Sequence, residues 1–180
     1  KENEEDETAT KFDAKKNFDK NIWKDLSESV NEMIKDCAYT GKPESYLNIN
    51  TADVVVGGRH KKNQGKGYRA FLNTIMLFNL MKYLESSGKY ASHFLVLDSP
   101  ILSLKEKKYS IKESEKATKG MRESLIQYII DHCGNNQLIV AENELPETVN
   151  YQNANRITFT MDEEQGRYGF LHSVRNPEEE

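Results

Sequence analysis

The chain has 180 residues, 37% of them hydrophobic and 30% charged, with a formal net charge of −4. That length fits one domain with its own core, and no apolar run approaches the ~20 residues that a membrane-spanning helix requires. The opening Lys-Glu-Asn-Glu-Glu-Asp-Glu is the opposite of a signal peptide, so the expected setting is cytoplasmic, with no membrane partner.

Residues 1–10 carry nothing apolar to bury and read as a disordered acidic tail. The tail also distorts the charge balance. Setting aside the eight acids in residues 1–7 and 178–180, together with Lys1, leaves 21 acids against 24 bases, so the body is mildly basic. Residues 11–40 read as an amphipathic helix, with Phe18, Ile22, Leu26, Val30, Met33 and Cys37 spaced by three or four. It is either an ordinary helix covering a sheet or the end of a coiled-coil arm. Gly41-Lys42-Pro43 ends it, and residues 41–176 form the body. Cys37 and Cys133 stand far apart in apolar helical contexts without metal-type spacing, which points to buried free thiols.

Two short strands follow, around Tyr46-Leu47-Asn48-Ile49-Asn50 and Asp53-Val54-Val55-Val56-Gly57-Gly58. Arg59, His60, Lys61, Lys62, Lys66 and Arg69 then crowd a glycine loop, Asn63-Gln64-Gly65-Lys66-Gly67. Such a cluster suits either phosphates or DNA, or is a solvated basic turn. From Tyr68 to Leu84 the apolar spacing predicts a largely buried helix. Phe94-Leu95-Val96-Leu97-Asp98-Ser99-Pro100 is a continuous apolar run ending in a carboxylate and a proline, the pattern of a parallel strand that empties into a site.

After Ile101-Leu102-Ser103-Leu104 the chain is almost wholly polar to Gly120, and an exposed, mobile insertion is expected there. Met121, Leu125, Ile129 and Cys133 mark one face of a further helix, closed by Gly134. Gln137-Leu138-Ile139-Val140-Ala141 reads as a second parallel strand beside the first, ending in Glu142-Asn143-Glu144. At the end of the body, residues 156–160 and 167–171 flank Asp162-Glu163-Glu164-Gln165-Gly166, which reads as a β-hairpin.

A glycine loop, a buried helix and a hydrophobic strand ending in Asp, in that order, resemble the C-terminal half of an ATP-binding cassette (ABC) head. The likeness is to the SMC-like and RecF-like ATPases of chromosome maintenance and recombination repair. It implies an α/β fold: the C-terminal lobe of a P-loop NTPase-like head, with a parallel sheet, flanking helices and a closing hairpin. It further implies that Asn63, Gln64, Gly65, Lys66 and Gly67 form the signature motif that contacts ATP. Asp98 becomes the Walker B carboxylate on the Mg²⁺ side, Ser99 lies beside the nucleotide, and residues after Pro100 form the D-loop, which crosses to a partner subunit.

Three departures accompany the likeness. Gly65-Lys66-Gly67 replaces Ser-Gly-Gly, Ser99 stands where a glutamate usually follows the Walker B Asp, and Asn143 takes the place of the switch histidine. Glu142 ends the neighbouring strand, so it either reaches water near Asp98 as a catalytic group or caps the following turn. The chain has no Gly-x-x-x-x-Gly-Lys-Ser/Thr phosphate cradle. The resemblance therefore implies ATP and Mg²⁺ only in a head completed by a Walker A lobe, which pairs with a second head and handles DNA; the chain alone is expected neither to hydrolyse ATP nor to bind it tightly. A non-catalytic module that holds nucleic acid or protein remains the alternative.

Overall fold

The computed structural model describes residues 19–39, 41, 43–102, 104, 113–162 and 164–170, with backbone only for 113–119. The expected acidic tail, and the part of the first helix before residue 19, lie outside these residues.

Helix α1 (Lys20–Asp36) starts at Asp19, whose Oδ1 accepts the amide of Asn21 at 2.8 Å. Leu26, Val30, Met33 and Ile34 recur on one face and are buried. A polar stripe beside them, Trp23, Ser27 and Asn31, binds the backbone of β1 (Ser45–Asn48). Trp23 Nε1 donates to Leu47 O at 2.8 Å, Leu47 N donates to Ser27 Oγ at 3.0 Å, and Ser45 N donates to Asn31 Oδ1 at 3.0 Å. Trp23 and Ser27 thus hold the carbonyl and amide of Leu47, Asn31 one turn on holds Ser45, and the outer edge of β1 is closed by side chains.

β1 pairs antiparallel with β2 (Asp53–Val56), from Ser45↔Val56 to Asn48↔Asp53. β2 turns back into β3 (Arg59–His60), a strand the sequence reading missed. Gly57 and Gly58 make this turn with φ of +54° and +74°, the geometry of a tight two-residue hairpin. A single 3-10 turn (Lys61–Asn63) then leads into α2 (Lys66–Ser87), whose Phe71, Leu72, Ile75 and Phe78 are at the centre of the core. Asn79, also buried, donates to Ile75 O at 2.9 Å and to Met33 Sδ at 3.2 Å, tying α2 to α1.

β4 (Phe94–Asp98) and β5 (Gln137–Ala141) form a separate two-stranded parallel sheet, in register from Phe94↔Gln137 to Asp98↔Ala141. The expected parallel pairing is therefore present. α3 (Glu113–His132) joins them, and its Met121, Leu125, Ile126 and Ile129 pack into the same core as Leu97. It begins at residue 113, so the last part of the stretch expected to be an insertion is helical; residues 103 and 105–112 lie outside the described ones. Gly134, at φ +62°, follows α3 as expected of a helix-ending glycine.

The architecture is mixed α/β, with a three-stranded antiparallel sheet and a two-stranded parallel one. The C-terminal β-hairpin is a correction. Phe159 and Arg167 make one isolated bridge in parallel register, with Thr160 N donating to Arg167 O at 2.9 Å and Met161 N to Tyr168 O at 3.1 Å. The parallel sense rules out a hairpin there, and among the described residues, which leave out 163 and 171, no ladder forms and no pairing joins this segment to either sheet.

Candidate site at the ends of the parallel strands

Parallel register carries Asp98 and the residues after Ala141 to one edge of the sheet. Asp98 is exposed, and its Oδ1 accepts the Ser99 hydroxyl at 2.8 Å. Ser99 N donates to Ala141 O at 2.8 Å, extending the ladder by one bond, and Ser99 then takes φ +52°. A serine in the left-handed region is uncommon and turns the chain sharply off the strand. Pro100 and Ile101 behind it are buried, and Leu104 N donates to Ile101 O at 3.1 Å to close the turn.

Glu142 is half-buried, with Oε1 accepting the Ile101 amide at 2.6 Å. Its Oε2 is buried without a hydrogen-bond partner. Burial pushes the carboxyl above the usual carboxylate range, against the opposing pull of the Ile101, Asn143 and Leu102 amides and the Arg122 charge. Arg122, from α3, was not singled out in the sequence. Its Nη2 donates to Glu144 O at 3.4 Å and its buried Nε has no partner. Asn143 is exposed beside Glu142.

The glycine loop stands at the start of α2. Asn63, Gly65 and Lys66 are exposed, Gln64 is half-buried with its amide on Lys61 O at 3.0 Å, and Gly67 is buried. Gly65 has φ −62°, and a Cβ there would meet no atom within 4 Å. The fold therefore does not demand glycine at this position, while close approach by a ligand would favour one. Glycine also offers no side chain to cap α2, whose first-turn amides suit an anion. Of the basic cluster, Arg59, Lys62, Lys66 and Arg69 are exposed, but Lys61 is bonded to Asp53 and Asn73, both at 2.7 Å.

The structure thus brings Asp98, Ser99, Glu142 and Asn143 to one edge and keeps residues 63–67 together at the start of α2. Among the described residues no hydrogen bond or ion pair joins the two groups. No group of three or more His, Cys, Asp and Glu suited to a metal occurs there either. Mg²⁺ commonly takes only one or two carboxylates, with phosphates and water completing its shell. Asp98 fits that mode as a single ligand. Two shallow grooves lie elsewhere, one of ≈450 Å³ beside Trp23 and Tyr46, the other of ≈350 Å³ beside Tyr128 and His132. Comparison of the chain with protein-family models, with curated proteins and with solved structures gave no match.

Proposed function

We propose that this chain is the C-terminal half of an SMC-like or RecF-like ABC ATPase head, which acts in DNA transactions once a Walker A lobe completes it. The observation that carries the reading is the β4–β5 pair. Parallel sheets are normally covered on both faces. Here Leu95, Leu97, Leu138 and Val140 face the core, whereas on the other side Phe94, Val96 and Ile139 are 45%, 52% and 46% exposed. No third strand pairs with either edge among the described residues. An apolar sheet face with open edges calls for further structure, and the Walker A lobe is what the reading supplies.

In that head Asp98 would hold Mg²⁺ beside the phosphates, with the Ser99 hydroxyl orienting its carboxylate. Bound Mg²⁺ neutralises charge on the phosphates. Residues 63–67 would meet the phosphate of the opposite head through the α2 amides, and Lys66 would add positive charge. A second reading, a non-catalytic interaction module, is favoured by one observation: the carboxylate nearest Asp98 along the strand ends, Glu142, is bonded to backbone. Turnover by the parent protein separates the two. With the Walker A lobe present, Asp98→Asn should abolish Mg²⁺-dependent ATP hydrolysis without loss of folding; hydrolysis at the unsubstituted rate overturns the metal role.

A further inference from the structure

We propose that Glu142 is a positioning residue, which braces the turn after β4 rather than taking a proton from water. The proposal follows from accounting for three successive backbone positions. Ser99 N is spent on Ala141 O, Pro100 has no N–H, and the next donor is the buried amide of Ile101. Buried amides need an acceptor, and β5 has already ended at Ala141. Glu142, the first residue past that end, reaches across and accepts the Ile101 amide at 2.6 Å.

This bond fixes how the chain leaves the strand. Ile101 and Leu104 are 0% and 3% exposed, so the turn is nailed to the core at two points, and Leu102 between them is left exposed at the rim. A carboxylate accepting a backbone amide makes a stronger bond than a neutral acceptor, which suits a turn that must hold Ser99 in a left-handed conformation. The same geometry argues against a base. One oxygen of Glu142 is occupied by an amide and the other is buried, whereas a general base must meet the water it activates. Asp98, by contrast, is exposed at the strand end.

The consequence for the ATPase rests on the function proposed above: the braced turn is the segment that would cross to the partner head. Two variants distinguish bracing from catalysis. Glu142→Gln keeps an oxygen that can accept from Ile101, while Glu142→Met keeps the volume and removes the acceptor.

On the 180-residue chain itself, the Ile101 amide should exchange with solvent on the order of tenfold faster in Glu142→Met than in the unsubstituted chain. Glu142→Gln should restore most of the protection, with the ladder amides of Leu97 and Ile139 as the internal reference. Equal Ile101 exchange in all three chains, relative to that reference, overturns the proposal whether or not the protein is an ATPase. In the completed head Glu142→Gln should recover most of the turnover that Glu142→Met loses. Equal inactivation by both, with Ile101 still protected in the Gln variant, assigns Glu142 to chemistry and also overturns the proposal. Protection that separates the variants in a head that never hydrolyses ATP sustains the brace and removes the ATPase reading.

Discussion

Cys37 is completely buried at the C-terminal end of α1, and burial, with a smaller push from Asp36, raises its thiol to about 12. Tyr39, two residues on, is also raised to about 12, by burial first and by Tyr68 next, against the Arg59 charge. Both groups are neutral when protonated, so the folded state holds its protons more tightly than the unfolded chain, where they ionise near 9 and 10. Stability should therefore be fully present below pH 9 and fall as pH rises from 9 toward 12. Urea titrations between pH 8 and 11 should show the midpoint constant and then declining, and Cys37→Ala should make the decline shallower. The native chain should also leave Cys37 unmodified by a thiol reagent at pH 8, because thiolate is the reactive form. The spacing of Cys37 in an apolar stripe was enough to read it as a buried thiol. Cys133 was read the same way, but it lies just past α3, half-buried, with its Sγ donating to Asn136 O at 2.8 Å. A helix that stops one residue earlier than its apolar period implies leaves the last member on the rim.

Among the elements, α1 shows where sequence patterns stop. The apolar stripe from Leu26 to Cys37 declared the helix and its buried face. The stripe of Trp23, Ser27 and Asn31 did not declare that it closes the edge of β1, because a polar residue on a helix flank looks the same whether it meets water or a strand. Asn31 carries the most in that contact: its Oδ1 accepts both the amide and the hydroxyl of Ser45, at 3.0 Å each. Ser45 is buried. Asn31→Ala should therefore leave two buried donors unsatisfied and cost about 1–3 kcal/mol in urea unfolding. A change below a few tenths would mean that water replaces the side chain. β3 was missed although Gly57-Gly58 announced its turn, since only two residues follow before the chain enters a 3-10 turn, too few to show alternation. The strand-end site was legible in part: parallel pairing of two apolar runs sufficed to place Asp98 near Glu142. The bond from Ile101 to Glu142 was not, because the path of the chain beyond Pro100 depends on Ser99 adopting a positive φ.

For the whole molecule, the informative feature is how unevenly apolar surface is covered. The antiparallel sheet has α1 sealing one edge, whereas among the described residues β4 and β5 are covered on one face alone. From sequence their continuous apolar runs read as strands buried on both faces; in the structure every second side chain is outward, Val96 at 52% exposure against 4% for Leu97. The run is what a buried strand requires, and among the described residues nothing covers the outward half of it, as would be so if another lobe completed the layer. Substitutions on the two faces should then behave oppositely. Leu97→Ala should destabilise the isolated chain by about 2–5 kcal/mol, since it empties a packed site. Val96→Asp combined with Ile139→Asp should cost less, about 1 kcal/mol, because both side chains are already half in water; what is lost is the cross-strand pair they form with each other, replaced by two carboxylates that repel. The same pair should prevent association with a separately expressed Walker A lobe, since docking would place two carboxylates in an apolar layer without partners. Stable assembly of the doubly substituted chain, read by size-exclusion chromatography with light scattering, would show that this face stays open in the completed head. A Walker A lobe, if the proposed reading holds, would then have to attach at the strand edges alone, through backbone pairing that leaves the outward side chains in solvent.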